Sequence, residues 1–445
     1  MMMEQIQEIV DKLIIHGVIL AMDDETQIIE DGAIGIIGSK IAFVGKTKDL
    51  LRICDPKEII DAKGQIVMPG LINAHSHAPA TFLRGYAENL RLQDWLEKVW
   101  KAERKIVSPK TVEAGARLAY LEMIQGGITT SLDMWFFPEI SALTAKEVGF
   151  RLMSGPIYID YPFVPDGISM DQRTIRAREF LEEYQNDTLI VPSVNPHSTY
   201  TVVPEYLVQA KQLADEFAVP FCTHASENDS EVNQVMKRYQ KSPIGLLESL
   251  GLLDERTVLF HCVCLSDEDI NFIANRRSVV VHNVVCNLKI GSGIAPLPKM
   301  KTAGIPILLG TDGPQSNNDF NMWLTIRLAA ILHNGVTKDP TFLPAIDAIK
   351  MVTCDAAKAL GLGDRIGSIE VGKSADIIFM DFHKPHLVPI YDYYAHLAYA
   401  AGREDVSTVL INGKIVMRDR NMLTMDAEKA IADIIEIGKE VKNTV

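Results

Sequence analysis

The feature that most constrains the fold of this chain is a series of short apolar segments that alternate with longer amphipathic ones. There are eight apolar segments, six of which end in a polar residue: Val67–His75, Ile128–Met134, Arg151–Ile159, Leu189–His197, Val219–His224, Val258–His261, Val279–His282 and Ile305–Asp312. Apolar strands that alternate with helices are typical of a parallel sheet covered on both faces. Eight such units predict an α/β fold with a (β/α)8 TIM barrel.

Both ends of the chain are instead rich in short strand-like segments. The first sixty-odd residues contain segments such as Leu13–Leu20 and Gly32–Ile37, with turn signals between them and no strong helix signal. Near the other end, Val406–Ile411 is followed by Asn412-Gly413, a hairpin signal. We therefore predict a small β-sandwich domain built from residues 1–67 and 371–445, the latter with a C-terminal helix, and a catalytic barrel at residues 68–370 between them.

Composition excludes several classes of function. The chain has 44 Lys+Arg against 58 Asp+Glu, a net charge of −14, which argues against a nucleic-acid-binding protein. No stretch approaches the ~20 apolar residues that a membrane helix needs. The N-terminus lacks a secretory signal, and six cysteines in 445 residues do not indicate a disulfide framework. We expect a cytoplasmic protein without a membrane partner; whether it forms a homo-oligomer stays open.

Polar residues with metal-binding chemistry end most of the predicted barrel strands. Function in such barrels collects at the carboxyl ends of the strands. Six of the eleven histidines, with one glutamate and one aspartate, lie at or just beyond these ends: His75, His77, His197, His224, His261, His282, Glu227 and Asp312. Any one of them alone is more often a buried structural residue. Together, from six different strands, they predict a single site.

The His75-Ser76-His77 segment points to a metal ion. Alternate residues of a strand face the same side, so both imidazoles reach one ion. Imidazole nitrogens with a carboxylate suit Zn²⁺, and a catalytic zinc keeps one position open for water. His75, His77, His224 and Asp312 would form such a mononuclear site, although these ligand types also admit Fe²⁺ or Mn²⁺.

Three further residues have candidate roles beside the metal. Glu227, three residues after His224, would face bound substrate, and a dry pocket would raise the pKa of its carboxyl and make it a proton carrier. His261 would hydrogen-bond the water on the metal, and His282 would support the ligands from behind. The alternatives are an exposed loop carboxylate for Glu227 and a hydrogen-bonded core histidine for His261. The segment Trp95–Trp100 is expected to pack over the barrel mouth.

Several of these motifs resemble the amidohydrolase superfamily. The resemblance rests on Pro69–His77, His224-x-x-Glu227, His261 and Thr311-Asp312-Gly313. Further segments are most similar to the 5′-methylthioadenosine/S-adenosylhomocysteine deaminases within it: Pro79–Gly85, Asn195–Ser198, Asn287–Lys289 and Asp312–Asn318. The similarity extends from about Gly17 to about Leu423. Leu189–His197 lacks the lysine that bridges two metals in some members, which favours one metal per chain.

The resemblance implies a role for each site residue. His75, His77, His224 and Asp312 would hold the metal, His197, Glu227 and Asp312 would contact the substrate, and Glu103 would bind the ribose hydroxyls. Asp312, helped by His261, would accept a proton as hydroxide attacks C6 of the adenine ring. Glu227 would protonate N1, and ammonia would leave.

One departure from the family pattern affects the expected substrate. Family members can use an arginine after the third strand to bind the carboxylate of S-adenosylhomocysteine, and the stretch Arg151–Pro156 has none after Arg151. Arg173 or Arg176 would have to replace it. The sequence therefore favours a neutral nucleoside, methylthioadenosine or adenosine, over the homocysteine adduct.

Two other functions stay open at this point. The first is a deaminase or dechlorinase of another ring, such as guanine, a pterin or a triazine. Such a ring has no ribose for Glu103 to hold. The second is an amidohydrolase-like scaffold without catalysis, which would not need the complete set of ligands.

Overall fold

The computed structural model describes residues 7–90, 92–160 and 164–444. Its first five strands are β1 (Glu8–Leu20), β2 (Ile28–Ile37), β3 (Lys40–Lys46), β4 (Cys54–Asp61) and β5 (Ile66–Pro69). The long strand β1 organises this region, because it pairs antiparallel with β2 and, on its other edge, parallel first with β4 and then with β5. The predicted strands Leu13–Leu20 and Gly32–Ile37 lie within β1 and β2.

A short helix, α1 (Thr47–Ile53), lies between β3 and β4, where the sequence analysis found no strong helix signal. With seven residues, it is too short to display a helical repeat or to be stable by itself. It is stabilised by packing, because Leu50 is buried in a cluster with Val10, Leu13 and Cys54.

The barrel strands follow in the predicted order, with two short strands that extend β8 and β10. They are β6 (Leu71–Ser76), β7 (Ile128–Asp133), β8 (Arg151–Ser154), β9 (Ile157–Tyr158), β10 (Ile190–Pro192), β11 (Asn195–Pro196), β12 (Phe221–Ala225), β13 (Thr257–His261), β14 (Val279–His282) and β15 (Ile307–Leu309). All their pairings are parallel. The predicted α/β fold with a TIM barrel is confirmed.

The strand ladders form two arcs rather than one continuous ring. Strands β6, β7, β8 and β10 form one four-stranded sheet, and β12 to β15 form the other. Single parallel bridges, Val194 to Phe221 and Ser198 to His224, join the arcs on one side. On the other side, Asn73 and Thr311 join β6 to the end of β15 through two hydrogen bonds of 2.8 and 3.0 Å. These side chains replace a regular ladder at that seam.

Helices connect the strands and cover the barrel. Within the described residues, the helices after α1 are α2 (Leu92–Ile106), α3 (Pro109–Gln125), α4 (Pro138–Val148), α5 (Met170–Tyr184), α6 (Pro204–Phe217), α7 (Asp229–Tyr239), α8 (Pro243–Ser249), α9 (Asp267–Arg276), α10 (Val284–Lys289), α11 (Leu297–Thr302), α12 (Met322–Thr337), α13 (Ala345–Lys350), α14 (Cys354–Ala359), α15 (Tyr393–Tyr399) and α16 (Ala427–Thr444). Serine caps with a polar residue at N3 begin α3, α5 and α9. Of these helices, none is both long and apolar enough to cross a membrane.

The last strands return to the first sheet. They are β16 (Ile377–Met380), β17 (Val406–Ile411), β18 (Lys414–Arg418) and β19 (Asn421–Met422). Strand β16 pairs antiparallel with β5, so that both ends of the chain contribute to one nine-stranded sheet in the described structure. The sheet fits the expected small β domain, and the boundaries at residues 67 and 370 stay a prediction.

A buried ion pair ties this sheet to the barrel. Arg151, the first residue of β8, donates to both carboxylate oxygens of Asp376 over 2.8 and 3.0 Å. Both side chains are at most 2% exposed. The guanidinium also donates to the carbonyl of Thr188 and to the hydroxyl of Ser374. Arg151 is therefore fully occupied in joining two parts of the fold.

We expect Arg151→Met to lower the free energy of unfolding by about 3–5 kcal/mol, because it leaves the Asp376 carboxylate buried without its partner. Urea denaturation followed by circular dichroism measures this loss. Arg178→Met is the matched control, since Arg178 pairs with Glu216 at the surface and its loss should cost no more than about 1 kcal/mol. Equal losses in the two variants would contradict the role given to the buried pair.

Candidate functional site

A cavity lies at the carboxyl ends of the barrel strands, beneath helix α2. Its polar lining comprises residues that the sequence analysis selected: His77, Glu103, His197, His224, Glu227, His261 and Asp312. His75 lies against them with no exposed surface, 4.8 Å from His77 and 4.9 Å from His224 between ring centroids. The fold therefore brings together every residue proposed for metal, substrate or proton transfer. Their individual roles stay a prediction.

The cavity is narrow. Its free volume is about 90 Å³, whereas small-molecule sites usually offer roughly 300 Å³ or more. Trp95 and Trp100 of α2 line it, so the segment expected over the mouth is part of a helix. A nucleoside therefore needs more room than this cavity offers in the described structure.

A larger cavity of about 1030 Å³ lies at the opposite, amino-terminal ends of the strands. Residues such as Val219, Val279 and Pro306 line it. None of the predicted site residues does. The chemistry therefore assigns the functional site to the smaller cavity.

His75, His77 and Asp312 meet in a way that fits a shared cation. Oδ1 of Asp312 lies 3.2 Å from Nε2 of His75 and 3.3 Å from Nε2 of His77. Nevertheless, Asp312 Oδ1 and both ring nitrogens of His75 are buried without a hydrogen-bond partner in the described structure. Buried polar atoms rarely lack partners, so these atoms fit ligands that converge on an ion.

Backbone carbonyls orient two of the histidines. Nδ1 of His77 lies 2.6 Å from the carbonyl oxygen of Met134, and Nδ1 of His224 lies 2.7 Å from that of His197. A carbonyl only accepts hydrogen bonds, so Nδ1 must donate in both rings. The lone pair of each neutral imidazole is then on Nε2, as in a histidine that ligates a metal.

Burial sets the charges of this cluster. It lowers the pKa of His75 to about 3 and the pKa of His224 well below its usual value. Burial opposes the charge of Asp312, but the imidazoles of His75, His77 and His261 outweigh it and hold the pKa of this carboxyl well below its usual value. At neutral pH His75 and His224 therefore offer neutral imidazole nitrogens and Asp312 offers a carboxylate, which are donors that suit Zn²⁺.

Two donors fix the second oxygen of Asp312. Oδ2 accepts from the hydroxyl of Ser316 at 2.6 Å and from the thiol of Cys286 at 2.8 Å. A buried carboxylate, Asp133, similarly supports the His75–His77 segment, because its Oδ1 accepts from the hydroxyl of Ser76 and the amide of Ala78. The sequence analysis did not identify these supporting residues. For Ser316, which follows Asp312 by four residues, nearness in sequence to a predicted ligand was the available signal.

The backbone turns sharply where three strand ends deliver their site residues. Ser226, His261 and Asp312 adopt positive φ angles of 52°, 72° and 64°. Such angles in residues other than glycine cost about 1–3 kcal/mol each and tend to occur at functional sites. The amide of Asp312 donates to the carbonyl of His75 at 3.0 Å. This hydrogen bond connects Asp312, with its strained backbone, to the neighbouring strand.

Glu227 lies in the cavity wall and is positioned by a second glutamate. Glu231, in the first turn of α7, accepts the amide hydrogen of Glu227 at 2.7 Å through Oε2. Burial raises the pKa of the Glu227 carboxyl, the direction expected from the sequence; nearby His261 lowers it and Asp312 raises it further. The arrangement suits Glu227 to carrying a proton.

His261 and His197 complete the polar wall. His261 Nδ1 lies 2.8 Å from Oδ1 of Asn287, and although burial opposes its charge, Glu227 and Asp312 raise the pKa of its imidazole. His197 Nδ1 lies 2.8 Å from the Thr201 hydroxyl, and burial lowers the pKa of this ring to about 3.

His282 lies outside the cavity lining. Its Nε2 is 3.1 Å from Nε2 of His333 on α12, within a buried pair. No direct contact with the metal cluster supports the role that the sequence suggested for it.

Helix α2 delivers Glu103 to the cavity, and burial raises the pKa of its carboxyl to about 8. The arginines proposed to replace the missing carboxylate-binding residue behave differently. Arg173 pairs with both oxygens of Asp166 and, with Arg176, lines a separate cleft. Arg104, which the sequence analysis did not consider, lines the cavity instead.

Comparisons with known proteins show the family to which the chain is related. A model described as the amidohydrolase family matches residues 66–416. The chain is 38% identical over 439 residues to 5-methylthioadenosine/S-adenosylhomocysteine deaminase 1 of Syntrophus aciditrophicus, covering 98% of this chain and 99% of that relative.

Solved structures are also similar to this chain over nearly its whole length. An adenosine deaminase from Xanthomonas campestris with bound zinc is 34% identical, with a TM-score of 0.95 over 98% of this chain and 100% of that one. Zinc-bound atrazine chlorohydrolase from Arthrobacter aurescens is 25% identical, with a TM-score of 0.88 over 96% of this chain and 100% of that one. Both of these similar proteins contain zinc.

We expect the purified protein to bind about one divalent metal ion per chain, as a four-ligand site requires. His224→Ala and Asp312→Ala should each reduce the metal content to a small fraction, because each removes a ligand. Elemental analysis after dialysis measures this. His333→Ala, a buried histidine outside the cluster, should retain its metal, and equal loss in all three variants would contradict the assignment.

Proposed function

Because this chain belongs to the amidohydrolase family, we propose that it is a hydrolytic deaminase of adenosine-type nucleosides, which it converts to the inosine form with release of ammonia. The family match and the similar deaminase confirm the resemblance found in the sequence. The chain is a hydrolase that acts on carbon–nitrogen bonds. Methylthioadenosine and adenosine are the proposed substrates, and S-adenosylhomocysteine is a further candidate. The observation that carries the proposal is that Glu103 and Glu227 line the same cavity as the histidine–aspartate cluster.

His75, His77, His224 and Asp312 would hold one divalent cation, and we propose Zn²⁺. The zinc-bound structures that resemble this chain support that choice, although the ligand types also admit Fe²⁺ or Mn²⁺. Such a cation would supply a water that is nucleophilic at neutral pH.

The protein's own residues would move the protons. Glu227, whose carboxyl has a pKa raised by burial, donates its proton to N1 of the purine ring, which makes C6 more electrophilic. Asp312, oriented by Ser316 and Cys286, accepts a proton from the water as its oxygen bonds to C6. The carboxyl of Asp312 then protonates the amino nitrogen, the C6–N bond breaks and ammonia leaves. Glu227 regains its proton from the new C6 hydroxyl, which leaves the 6-oxo product.

Other residues would bind and shield the substrate. Glu103 would accept hydrogen bonds from two ribose hydroxyls, and His197 would contact the ring. Trp95 and Trp135 exclude water from the cavity, which strengthens the polar interactions within it. A cytoplasmic location and the absence of nucleic-acid and membrane partners stay predictions, and the oligomeric state stays open.

The proposal is tested by ammonia release from the zinc-loaded protein. The panel contains methylthioadenosine, adenosine, S-adenosylhomocysteine, guanine, a pterin and a triazine. We expect turnover of the two neutral nucleosides, and Glu227→Gln should lower kcat by about 10²–10⁴ with metal still bound, because it removes the proton donor. Silence on every nucleoside with one metal bound would overturn the proposed substrate, and full turnover by Glu227→Gln would overturn its role.

Glu103 provides an independent test of nucleoside recognition. We expect Glu103→Ala to raise KM for adenosine about 10- to 100-fold, through loss of its hydrogen bonds to the two ribose hydroxyls. It should leave the weaker turnover of free adenine unchanged, because that base has no ribose. Steady-state kinetics with both compounds measures the difference. An equal effect on nucleoside and base would show that Glu103 acts on something other than the sugar.

A further inference from the structure

We propose that Gln315 reads the edge of the purine ring beside the reacting carbon: its amide nitrogen donates to N7, and its amide oxygen accepts from the 6-amino group. This inference rests on the proposed function and deepens it, because it names a residue that selects a 6-aminopurine. No sequence motif assigned a role to this position.

Gln315 lies where such a contact is required. It follows Asp312 by three residues and precedes Ser316, and all three line the cavity. Since Ser316 holds Asp312 Oδ2 and Asp312 acts at C6 in the proposed reaction, this loop borders the reacting carbon.

The amide of Gln315 has an unfilled hydrogen-bonding position. The residue is 4% exposed, and its Oε1 is buried without a partner in the described structure. Buried side-chain amide oxygens nearly always accept a hydrogen bond. A donor from a molecule in the cavity would satisfy this one.

Gly313 makes the position of this amide specific. A Cβ at residue 313 would lie 2.2 Å from Oε1 and 2.8 Å from Nε2 of Gln315. The absence of a side chain there lets the amide lie directly over the backbone that follows Asp312. Both polar atoms therefore lie close to the backbone of Gly313, the residue that follows Asp312.

An amide matches one purine edge and not the other. Adenine presents an acceptor at N7 beside the donor 6-amino group, which pairs with the donor and acceptor of a glutamine. A 6-oxopurine presents two acceptors, N7 and O6, so the amide oxygen, itself an acceptor, must face another acceptor. Since N7 only accepts in both rings, it determines that Nε2 points to N7 and Oε1 to the 6-substituent. Gln315 would thus favour the substrate and disfavour the product and guanine.

The test compares adenosine with 7-deazaadenosine, which lacks the N7 acceptor, in wild-type protein and in Gln315→Met, a variant of similar length without the amide. We expect wild type to prefer adenosine in kcat/KM, and the variant to reduce this preference about tenfold, the usual effect of one hydrogen bond. The preference is the ratio of kcat/KM for adenosine to kcat/KM for 7-deazaadenosine. Comparing this ratio between wild type and variant cancels the intrinsic difference in reactivity of the two rings. Inhibition by inosine, relative to KM for adenosine, should become correspondingly stronger in Gln315→Met.

Two controls make the outcome decisive. Glu103→Ala should weaken both nucleosides equally and retain the wild-type ratio, because it acts on the ribose. Gln315→Leu is the second variant, and equal metal content and melting temperature show that each variant is folded. An unchanged ratio in active, folded Gln315 variants would overturn this inference alone. Failure of the metal-loaded wild type to bind or deaminate either nucleoside would overturn it together with the proposed function.

Discussion

The site depends on the seam where the first and last barrel strands meet. Asn73 and Thr311, 238 residues apart, exchange two buried hydrogen bonds there, and the amide of Asp312 donates to the carbonyl of His75. These bonds bring Asp312 within 3.2 Å of His75, on a strand end that already carries His77. Without this seam the carboxylate and the first two histidines would not share one point.

Burial then determines what the joined residues can do. The imidazoles of His75, His197 and His224 are held neutral, whereas the carboxyls of Glu103 and Glu227 retain protons more readily than in water. The same dry environment thus favours neutral imidazoles, which can bind a cation, and protonated carboxyls, which can donate a proton to a substrate. Supporting residues such as Glu231 and Ser316 orient these groups through hydrogen bonds. A buried charge or dipole acts on a ligand only when its direction is fixed.

The sequence predicted the barrel and most of the cavity lining because both follow from short-range pattern. Apolar segments identify buried strands, and a polar residue at the end of each one lies at the functional face whatever the details of packing. For this reason the pattern of the chain was enough to place His224, His261 and Asp312 at that face. The short helix α1 was missed, since its stability comes from the burial of Leu50 rather than from a local repeat.

By itself, the sequence determined the fold class, the family and the identity of the clustered histidines and carboxylates, because periodicity and motif spacing are properties of the chain. Only the tertiary structure decided which residues, remote in sequence, interact with one another. It showed that Arg151 is used against Asp376, that Arg173 is used against Asp166, and that Gln315 lies over Gly313 with an unpaired oxygen. The physical reason is that hydrogen bonds and ion pairs between remote residues leave no periodic trace in the chain and form only when packing brings the partners together.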